Sequence, residues 1–307
     1  MSSDGKSLLT SVGVHDSTIW IHDTGGDRQL SLEGSGSKAT FSGDGSKLYY
    51  VIEGRQGQGS DLWVRELTSG KTERVASDSA ILRGSTMEDY SVSHDDKQVA
   101  FSLKDQNGVT HVWLSPTDHR TSPRELTSAV GHDSPRFLPN GDLVLRSTEG
   151  GQNFLYRVSQ DGTQRRKITP DPILDLFSAS PDGQWVLAST RATDGERSVA
   201  TIAYALDGGS SLRLCYSYCA GVWDISGRFF YLGSGSTGDS NTYVLPVNPA
   251  RGIPNFPPGG LTTEVDMKRD KRAIVIPQDI ESAVRPNYYS YTRHNIRRNI
   301  YRIPLPE

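Results

Sequence analysis

The chain of 307 residues lacks the features that mark several classes of protein. It has no apolar run of about 18 residues, so no transmembrane helix is predicted. The start "MSSDGKSLLTS" has neither the basic flank nor the apolar core of a signal peptide, and any export signal would have to lie outside this sequence. The formal net charge is only -3, which gives no strong attraction to nucleic acid or to an anionic membrane. We therefore expect no nucleic-acid partner and no membrane segment.

Cysteine is scarce, since the only two cysteines are Cys215 and Cys219 in "LCYSYC". Residues four apart in a regular strand lie about 13 Å apart, which is too far for a disulfide. We favour two small buried thiols, with a disulfide as the alternative if the chain turns between them. A metal pair lacks a nearby histidine to complete its ligand set.

Signatures of catalysis and metal binding are also missing. The sequence has neither a G-x-S-x-G elbow nor a phosphate-binding G-x-x-x-x-G-K-[ST] loop. Its 7 histidines show no H-x-H or H-E-x-x-H spacing that would gather a metal. No cofactor is evident from these patterns.

What the chain does contain is a repeat. Turn-forming dipeptides followed by short apolar runs recur along the whole length, and the second residues of these turns are at positions 5, 45, 96, 141, 183, 227 and 271. Each turn is followed by a second apolar run with an aromatic residue in the same place. These aromatic residues are Trp20, Trp63, Trp113, Tyr156, Tyr204, Tyr243 and Tyr301.

The repeat unit indicates an all-β fold. Short runs of period two, separated by Gly, Asp, Asn and Ser turns, are typical of strands, and four strands in about 40–50 residues are typical of a β-propeller blade. We predict a single β-propeller domain over residues 1–307, with seven four-stranded blades and with the aromatic residues in the core. Six or eight blades stay open, because the first unit lacks a strand before its turn and the last lacks one after Leu305.

Three segments carry a resemblance to a known family: "FSGDGSKLYYVI", "SDLWVREL" and "SASPDGQWVLAS". With them the chain resembles the TolB-like and WD-repeat-like bacterial propellers, and its closing "RRNIYRIPLPE" is similar to the end of propeller modules in bacterial signalling proteins with kinase or winged-helix domains. The resemblance implies a propeller that is a module of a longer chain, on the periplasmic or extracellular face of a bacterial cell. It says little about function, because propellers serve many functions.

A binding site is expected at one face of the ring. The first, innermost strand of each blade starts at the face that we call the top, and the Ser-Pro-Asp-Gly turns lie at the opposite face. Polar residues that enter the first strands would converge on a central funnel. The candidates are His132, Asp133, Arg136, Glu88, Asp89, Asp175, Asp224 and Glu264. Because acids outnumber bases, a divalent cation or a basic ligand in the funnel is left open.

A second set of candidates comes from residues 277–298, which we interpret as a long loop between second and third strands. Such loops are also expected at the top face. Its mixture of arginine and tyrosine suits the recognition of carboxylates, sugars or protein surfaces. The alternative is a latch that packs over the closing seam of the ring. The candidate ligand-binding residues here are Arg285, Tyr288, Tyr289 and Arg293.

The sequence favours a non-catalytic sensor or scaffold that binds a protein, a small molecule or a glycan through its top face and central funnel. The oligomeric state is left open. The alternative is an enzyme, a propeller-type polysaccharide lyase or hydrolase that acts on acidic sugars. Its catalytic residues would be His132, Tyr288, Arg285 and Arg136, as a base and as arginines that neutralise a uronate. This alternative requires His132 and the arginines of residues 285–298 to lie on the same face.

Overall fold

The computed structural model describes residues 7–31, 34–54, 59–75, 85–118, 120–126, 131–192, 199–216, 219–233, 241–262, 266 and 271–304. The described strands form six antiparallel sheets of four strands each, arranged as the blades of a propeller. The predicted all-β propeller with four-stranded blades is therefore confirmed. No helix within these described ranges is long and apolar enough to cross a membrane.

The chain begins in the outer half of the closing blade and then builds five blades from the inside outwards. The first two strands are β1 (Ser7–Asp23) and β2 (Gly26–Gln29). Blade 1 contains β3 (Ser35–Phe41), β4 (Lys47–Glu53), β5 (Ser60–Glu66) and β6 (Thr72–Arg74). Blade 2 contains β7 (Thr86–Val92), β8 (Gln98–Lys104), β9 (Thr110–Pro116) and β10 (Arg124–Glu125).

The next three blades repeat this order, and the chain then returns to the closing blade. Blade 3 contains β11 (His132–Phe137), β12 (Leu143–Glu149), β13 (Gln152–Val158) and β14 (Arg165–Lys167). Blade 4 contains β15 (Leu176–Ala179), β16 (Trp185–Arg191), β17 (Val199–Ala205) and β18 (Leu212–Tyr216). Blade 5 contains β19 (Gly221–Trp223), β20 (Phe229–Gly233), β21 (Thr242–Pro246) and β22 (Ile274–Ile276). The last strands are β23 (Ile280–Arg285) and β24 (Tyr288–Pro304).

Blade 6 closes the ring by joining the two ends of the chain. Its strand order is β23, β24, β1 and β2 from the inside outwards, and β1 pairs with β24 from Ser7 opposite Pro304 to His22 opposite Tyr289. Both long strands continue beyond the blade. Because β24 runs away from the turn that follows β23, the continuation lies above the top face. We call this two-stranded extension, residues 7–16 and 295–304, the ribbon.

The second strand of each blade is buried on both faces, because neighbouring blades cover both sides. In β4, Leu48 and Tyr50 pack in one cluster with Ile19 of blade 6, whereas Tyr49 and Val51 pack in another with residues of blade 2. Side chains of a strand point alternately to opposite faces, so four consecutive apolar residues serve two interfaces. The described core contains six such clusters, one for each interface between blades.

The Ser-Pro-Asp-Gly stretch at Ser180 is a turn, as the repeat predicts. The Ser180 hydroxyl accepts hydrogen bonds from the backbone N–H of Gln184 at 3.1 Å and of Trp185 at 2.9 Å, and Gly183 adopts φ = 71°. A glycine tolerates this left-handed conformation, which strains other residues. These side-chain contacts fix the path from the first to the second strand of blade 4.

The preference for seven blades was wrong and the alternative of six is correct, and both ends of the chain explain why. The runs "SLLTS" and "TIWIHD" belong to one strand, β1, and the run after position 271 contains β22, the fourth strand of blade 5. Tyr301 lies in the ribbon with 48% of its surface exposed, so it is not a core residue. The other six aromatic residues all lie in third strands, which gives six blades.

The preference for two free thiols was also wrong. Cys215 and Cys219 form a disulfide, with their Cα atoms 6.6 Å apart. Strand β18 ends at Tyr216, so the extended geometry that would separate the two cysteines does not continue to Cys219. Both residues are buried in the cluster between blades 4 and 5.

Candidate functional site: the central channel

A channel of about 580 Å³ lies on the axis of the ring and is lined by the first strands of all six blades and by residues next to them. Charged groups line the upper part, near the ends at which these strands begin. The lower part is lined largely by apolar groups, which include Phe41, Val92, Phe137 and Trp223. A ligand that enters from the top would therefore meet charge first and apolar surface below it.

Irregularities in the first strands determine where the charged side chains of the upper channel lie. Five of the six first strands have a shift in register close to their upper ends: β3, β7, β11, β15 and β23. A β-bulge adds a residue to one strand and changes the direction of the side chains around it. Lys38, Glu88 and Glu281 lie within these shifts, and Lys38 adopts φ = 58°, which is uncommon for a residue with a side chain.

Asp89 is the centre of an ion-pair network in the upper channel. Its Oδ2 accepts a hydrogen bond from Nη2 of Arg136 at 2.8 Å, and Nζ of Lys38 lies 3.9 Å from its Oδ1. Nε of Arg136 donates to the carbonyl of Phe177, and Nζ of Lys38 donates to the carbonyl of Glu88. These contacts connect blades 1 to 4 and hold both cations in place.

Glu281 connects the closing blade to blade 1. Its carboxylate accepts hydrogen bonds from the N–H of Ala39 at 2.6 Å, the N–H of Lys38 at 3.3 Å and the hydroxyl of Thr292 at 2.8 Å. Burial raises the pKa of Glu281, and these hydrogen bonds oppose that rise. The carboxylate is fully engaged, so its contribution is to position the bulge at Lys38.

Asp279 differs from these groups because its carboxylate has no hydrogen bond or ion pair with any described residue. It directly precedes β23 at the top end of the channel and lines its wall. Partial burial raises the pKa of Asp279, and the nearby His294 lowers it. Asp279 therefore offers a carboxylate to a ligand at the upper mouth.

The walls of the channel are closed by hydrogen bonds between neighbouring first strands. The N–H of Phe41 donates to the hydroxyl of Ser282, and the N–H of Phe137 donates to the hydroxyl of Ser91, both at 3.1 Å. The hydroxyl of Ser178 donates to the carbonyl of Gly221 at 2.6 Å. Such bonds make the channel wall a preformed surface.

Comparisons with known proteins support this architecture. The fold superposes on a protein assigned as TolB from Agrobacterium tumefaciens with a TM-score of 0.66 at 16% identity, over 92% of this chain and 99% of that one. TolB from Acinetobacter baumannii gives a TM-score of 0.60 at 15% identity, over 75% of this chain and 61% of that one. The chain has the TolB-like β-propeller fold.

Other similarities of this TolB-like propeller to known proteins cover a short segment or have low sequence identity. The Tol-Pal system protein TolB of Xylella fastidiosa is 32% identical over 79 residues, which are 25% of this chain and 18% of that protein. An oligogalacturonate lyase from Vibrio parahaemolyticus superposes with a TM-score of 0.55 at 14% identity, over 81% of this chain and 73% of that one. No family model matches the sequence. At these identities the superpositions show a shared fold and no shared function.

Of the residues predicted from the sequence, the TolB-like propeller brings Asp89 and Arg136 together in the channel, with Glu88 beside them. Two other predicted top-face acids, Asp133 and Asp175, have a structural role. Both carboxylate oxygens of Asp133 accept hydrogen bonds from Arg146, and Asp175 pairs with the same guanidinium at 3.0 Å. Glu264 lies outside the described residues.

His132 is at the top end of β11 but does not line the channel. Its side chain is fully buried, on the side of blade 3 that faces blade 2. Neither ring nitrogen has a hydrogen-bond partner among the described residues. Burial, with a smaller contribution from Arg165, lowers the pKa of His132 to about 4. The imidazole is therefore neutral at pH 7.

Three predicted residues lie at the face opposite to the one expected. Asp224 follows β19 and belongs to the turn before β20, where it accepts a hydrogen bond from the N–H of Phe229 at 2.8 Å. Arg285 and Tyr288 lie opposite each other at the turn between β23 and β24. Their placement at the top was wrong, because residues 277–298 contain two strands instead of a loop.

The remaining two candidates lie within β24. Tyr289 is buried in the interface between blades 5 and 6 and stacks on His22, with ring centroids 4.8 Å apart. Arg293 donates to Asp27 at 2.9 Å and lies over the ring of Trp20. These contacts resemble the latch that the sequence left as the alternative to a binding loop.

The four residues of the lyase hypothesis do not form one site. His132 and Arg136 are in blade 3, whereas Arg285 and Tyr288 are in blade 6 on the other side of a six-bladed ring. His132 is at the upper end of a first strand, and Arg285 is at the lower end of another. Within the described part of the chain, no group of three or more His, Cys, Asp or Glu side chains is placed to hold a metal ion.

Sequence reasoning missed Asp279 and Glu281 as members of the channel site. Lys38 is in a segment that enters a first strand, and the rule for the top face includes it. Asp279 and Glu281 were assigned to a loop, because β23 was not recognised as a first strand. No local sequence pattern marks the positions of the bulges.

Proposed function

We propose that this TolB-like propeller is a non-catalytic binding module, and that its upper channel receives a positively charged group of a protein partner. The observation that carries the proposal is the carboxylate of Asp279, which lines the upper mouth of an open channel and has no partner among the described residues. A carboxylate in such a position gains a charge-assisted hydrogen bond when a cation enters.

The shape and lining of the channel support this function. A volume of about 580 Å³ lies in the range of sites for small ligands or a few side chains. A lysine or arginine of a partner that docks on the top face can place its charged end beside Asp279, because this carboxylate lies at the upper mouth. The Xylella relatives are named as proteins of the Tol-Pal system, which agrees with a protein partner.

The paired state of the other charged groups favours binding over catalysis. Asp89 is held by Arg136 and Lys38, and Glu281 is held by backbone N–H groups. General acid–base catalysis needs a group that can exchange a proton with a substrate within hydrogen-bond reach. Groups fixed in this way are better suited to shape a binding surface.

The test is a binding screen with a matched pair of variants. Short peptides rich in Lys or Arg, and their Asp- or Glu-rich counterparts, are titrated while the melting temperature and the Kd are measured. We expect the basic peptides to stabilise the protein and Asp279→Asn to weaken their binding by roughly tenfold or more, since one charge-assisted bond is lost. Asp118→Asn removes an exposed carboxylate that pairs with Arg120 outside the channel, and serves as the control. Equal affinities of the two variants would contradict the proposal.

We also propose that the protein works in an oxidising compartment, such as the periplasm. The buried disulfide between Cys215 and Cys219 supports this location, because structural disulfides are rare in reducing cytosol. Alkylation of thiols in intact cells, followed by mass spectrometry, should find both cysteines protected until a reductant is added. Free thiols in freshly quenched cells would argue against this location.

A further inference from the structure

The ribbon extends beyond blade 6 and contributes no residue to the lining of the channel. It consists of β1 and β24 alone, paired from Leu8 opposite Ile303 to Asp16 opposite Asn295. Large apolar side chains near its end are exposed: Leu8 42%, Leu9 57%, Ile300 76%, Tyr301 48% and Ile303 46%. A two-stranded antiparallel ribbon is marginally stable alone, and three or more strands are needed for independent stability.

One edge of the ribbon is open along β1. Strand β2 pairs with β1 only from Trp20 to Asp23, and the N–H of Ser17 bonds to Ser35. From Leu8 to Asp16, β1 has no strand partner among the described residues on the side away from β24. An unpaired edge presents a row of backbone N–H and C=O groups that another strand can join.

The two edges of the ribbon differ in charge. Residues 8–14 of β1 read "LLTSVGV", with no charged residue and no proline. The outer part of β24 contains Arg297, Arg298 and Arg302, and it ends at Pro304. Charged residues and proline are the usual protection of an edge strand against pairing, so β24 is protected and β1 is not.

We propose that the open edge of β1 pairs with the same edge of a second copy of this chain, which gives a four-stranded sheet across a two-fold axis. A two-fold interface uses the same surface on both subunits, so an edge strand without charge can pair with itself in the antiparallel direction. A register centred on Ser11 places Leu8 opposite position 14 of the second copy and leaves Asp16 outside the paired segment. The same arrangement along β24 would bring arginines of the two copies together, which is unfavourable.

The geometry of the ribbon allows this pairing. Each propeller lies at the carboxyl end of its own β1 segment, so antiparallel pairing places the two propellers at opposite ends of the shared sheet. The paired segment of seven residues extends over roughly 23 Å. None of residues 8–14 lines the channel, so dimerisation and binding in the channel use different residues.

The experiment measures the mass of the intact chain in solution by sedimentation equilibrium over a range of concentrations. We expect a reversible equilibrium between the 33.7 kDa monomer and its dimer. Ser11→Lys should weaken the dimer by roughly fivefold or more, because it places two like charges opposite each other at the two-fold axis. Asn299→Lys adds the same charge to the protected edge and should leave the dimer unchanged. Melting curves establish that both variants keep the folded propeller.

A second variant reports the register directly. Ser11→Cys should form a covalent dimer under mild oxidation, since directly opposed residues of an antiparallel pair have Cβ atoms about 4.5–5.5 Å apart. Asn299→Cys should not. A wild-type chain that is monomeric at every concentration overturns the proposal. A dimer that Ser11→Lys leaves intact overturns it as well, because the contact would then lie on another surface.

Discussion

Among single residues, His132 connects protonation to the stability of the ring. Its imidazole is completely buried and has no hydrogen-bond partner among the described residues, so a charge there would be poorly solvated. The pKa falls from an ordinary 6.5 to about 4 for this reason. The unfolded chain therefore takes up a proton at His132 at a higher pH than the folded chain does.

This difference predicts a loss of stability in mild acid. The stabilising effect of the neutral imidazole is complete above about pH 6.5 and decreases as the pH falls towards about 4, below which the loss from this group is complete. At roughly 1.4 kcal/mol per pKa unit, the loss is on the order of 3 kcal/mol. His132→Leu should flatten the dependence of melting temperature on pH in this range. His94→Asn, at an exposed turn, is the control, and parallel curves for wild type and His132→Leu would contradict the prediction.

Within the elements, the turns between third and fourth strands vary in how closely they approach the neighbouring blade. Gly162 and Gly208 both have positive φ, at 78° and 90°. A Cβ atom at Gly162 would lie 2.2 Å from the carbonyl oxygen of Leu126 in blade 2, whereas at Gly208 nothing lies within 4 Å. The turn at Gly162 is in tight contact with the preceding blade, and the turn at Gly208 has free space around it.

These two positions form a matched pair. Gly208→Ala should cost about 1–2 kcal/mol of unfolding free energy, because alanine resists the left-handed conformation. Gly162→Ala should cost about 1–3 kcal/mol more, because the backbone of blade 2 must also move. Denaturant unfolding of both variants measures the difference. Equal losses would show that the contact with Leu126 does not constrain the turn.

The same elements show what the sequence could predict. The hydroxyl of Ser180 and the glycine at position 183 act through contacts within five residues, so the turn could be identified from the local sequence. The bulge at Lys38 depends on Glu281, which is 243 residues away, and no local pattern encodes such a contact. Strands and turns were therefore predictable, whereas the ion pairs that shape the channel were not.

In the whole molecule, the closing blade explains why the blade count was wrong and the fold was right. The repeat rule expects a turn and an aromatic strand in every unit, but blade 6 takes β23 and β24 from one end and β1 and β2 from the other. Trp20 is opposite Tyr291 in the register of β1 and β24, so half of the blade's pattern occurs at each end of the sequence. If the pattern at each end of the sequence is counted as a separate unit, the six blades are counted as seven.

Ring closure also predicts which part of β24 the propeller needs. Residues 289–291 are within the core, since Tyr289, Ser290 and Tyr291 are at most 4% exposed, and Thr292 bonds to Glu281. Asn299 and Ile300, by contrast, are exposed in the ribbon. The contacts that close the ring should therefore depend on the first half of β24, whereas the second half extends beyond the ring.

Two shortened chains test this division. A chain of residues 17–295 loses the ribbon except for Asn295 but keeps the pairing from Ser17 to His22, so it should melt in one cooperative transition within a few degrees of wild type. A chain of residues 17–287 also loses the rest of β24, which leaves β1 without its inner partner and exposes apolar residues of blades 1 and 5. It should lose the cooperative transition and bind a hydrophobic dye. Similar melting of both chains would contradict the division, and a strongly destabilised 17–295 chain would show that the ribbon takes part in closing the ring.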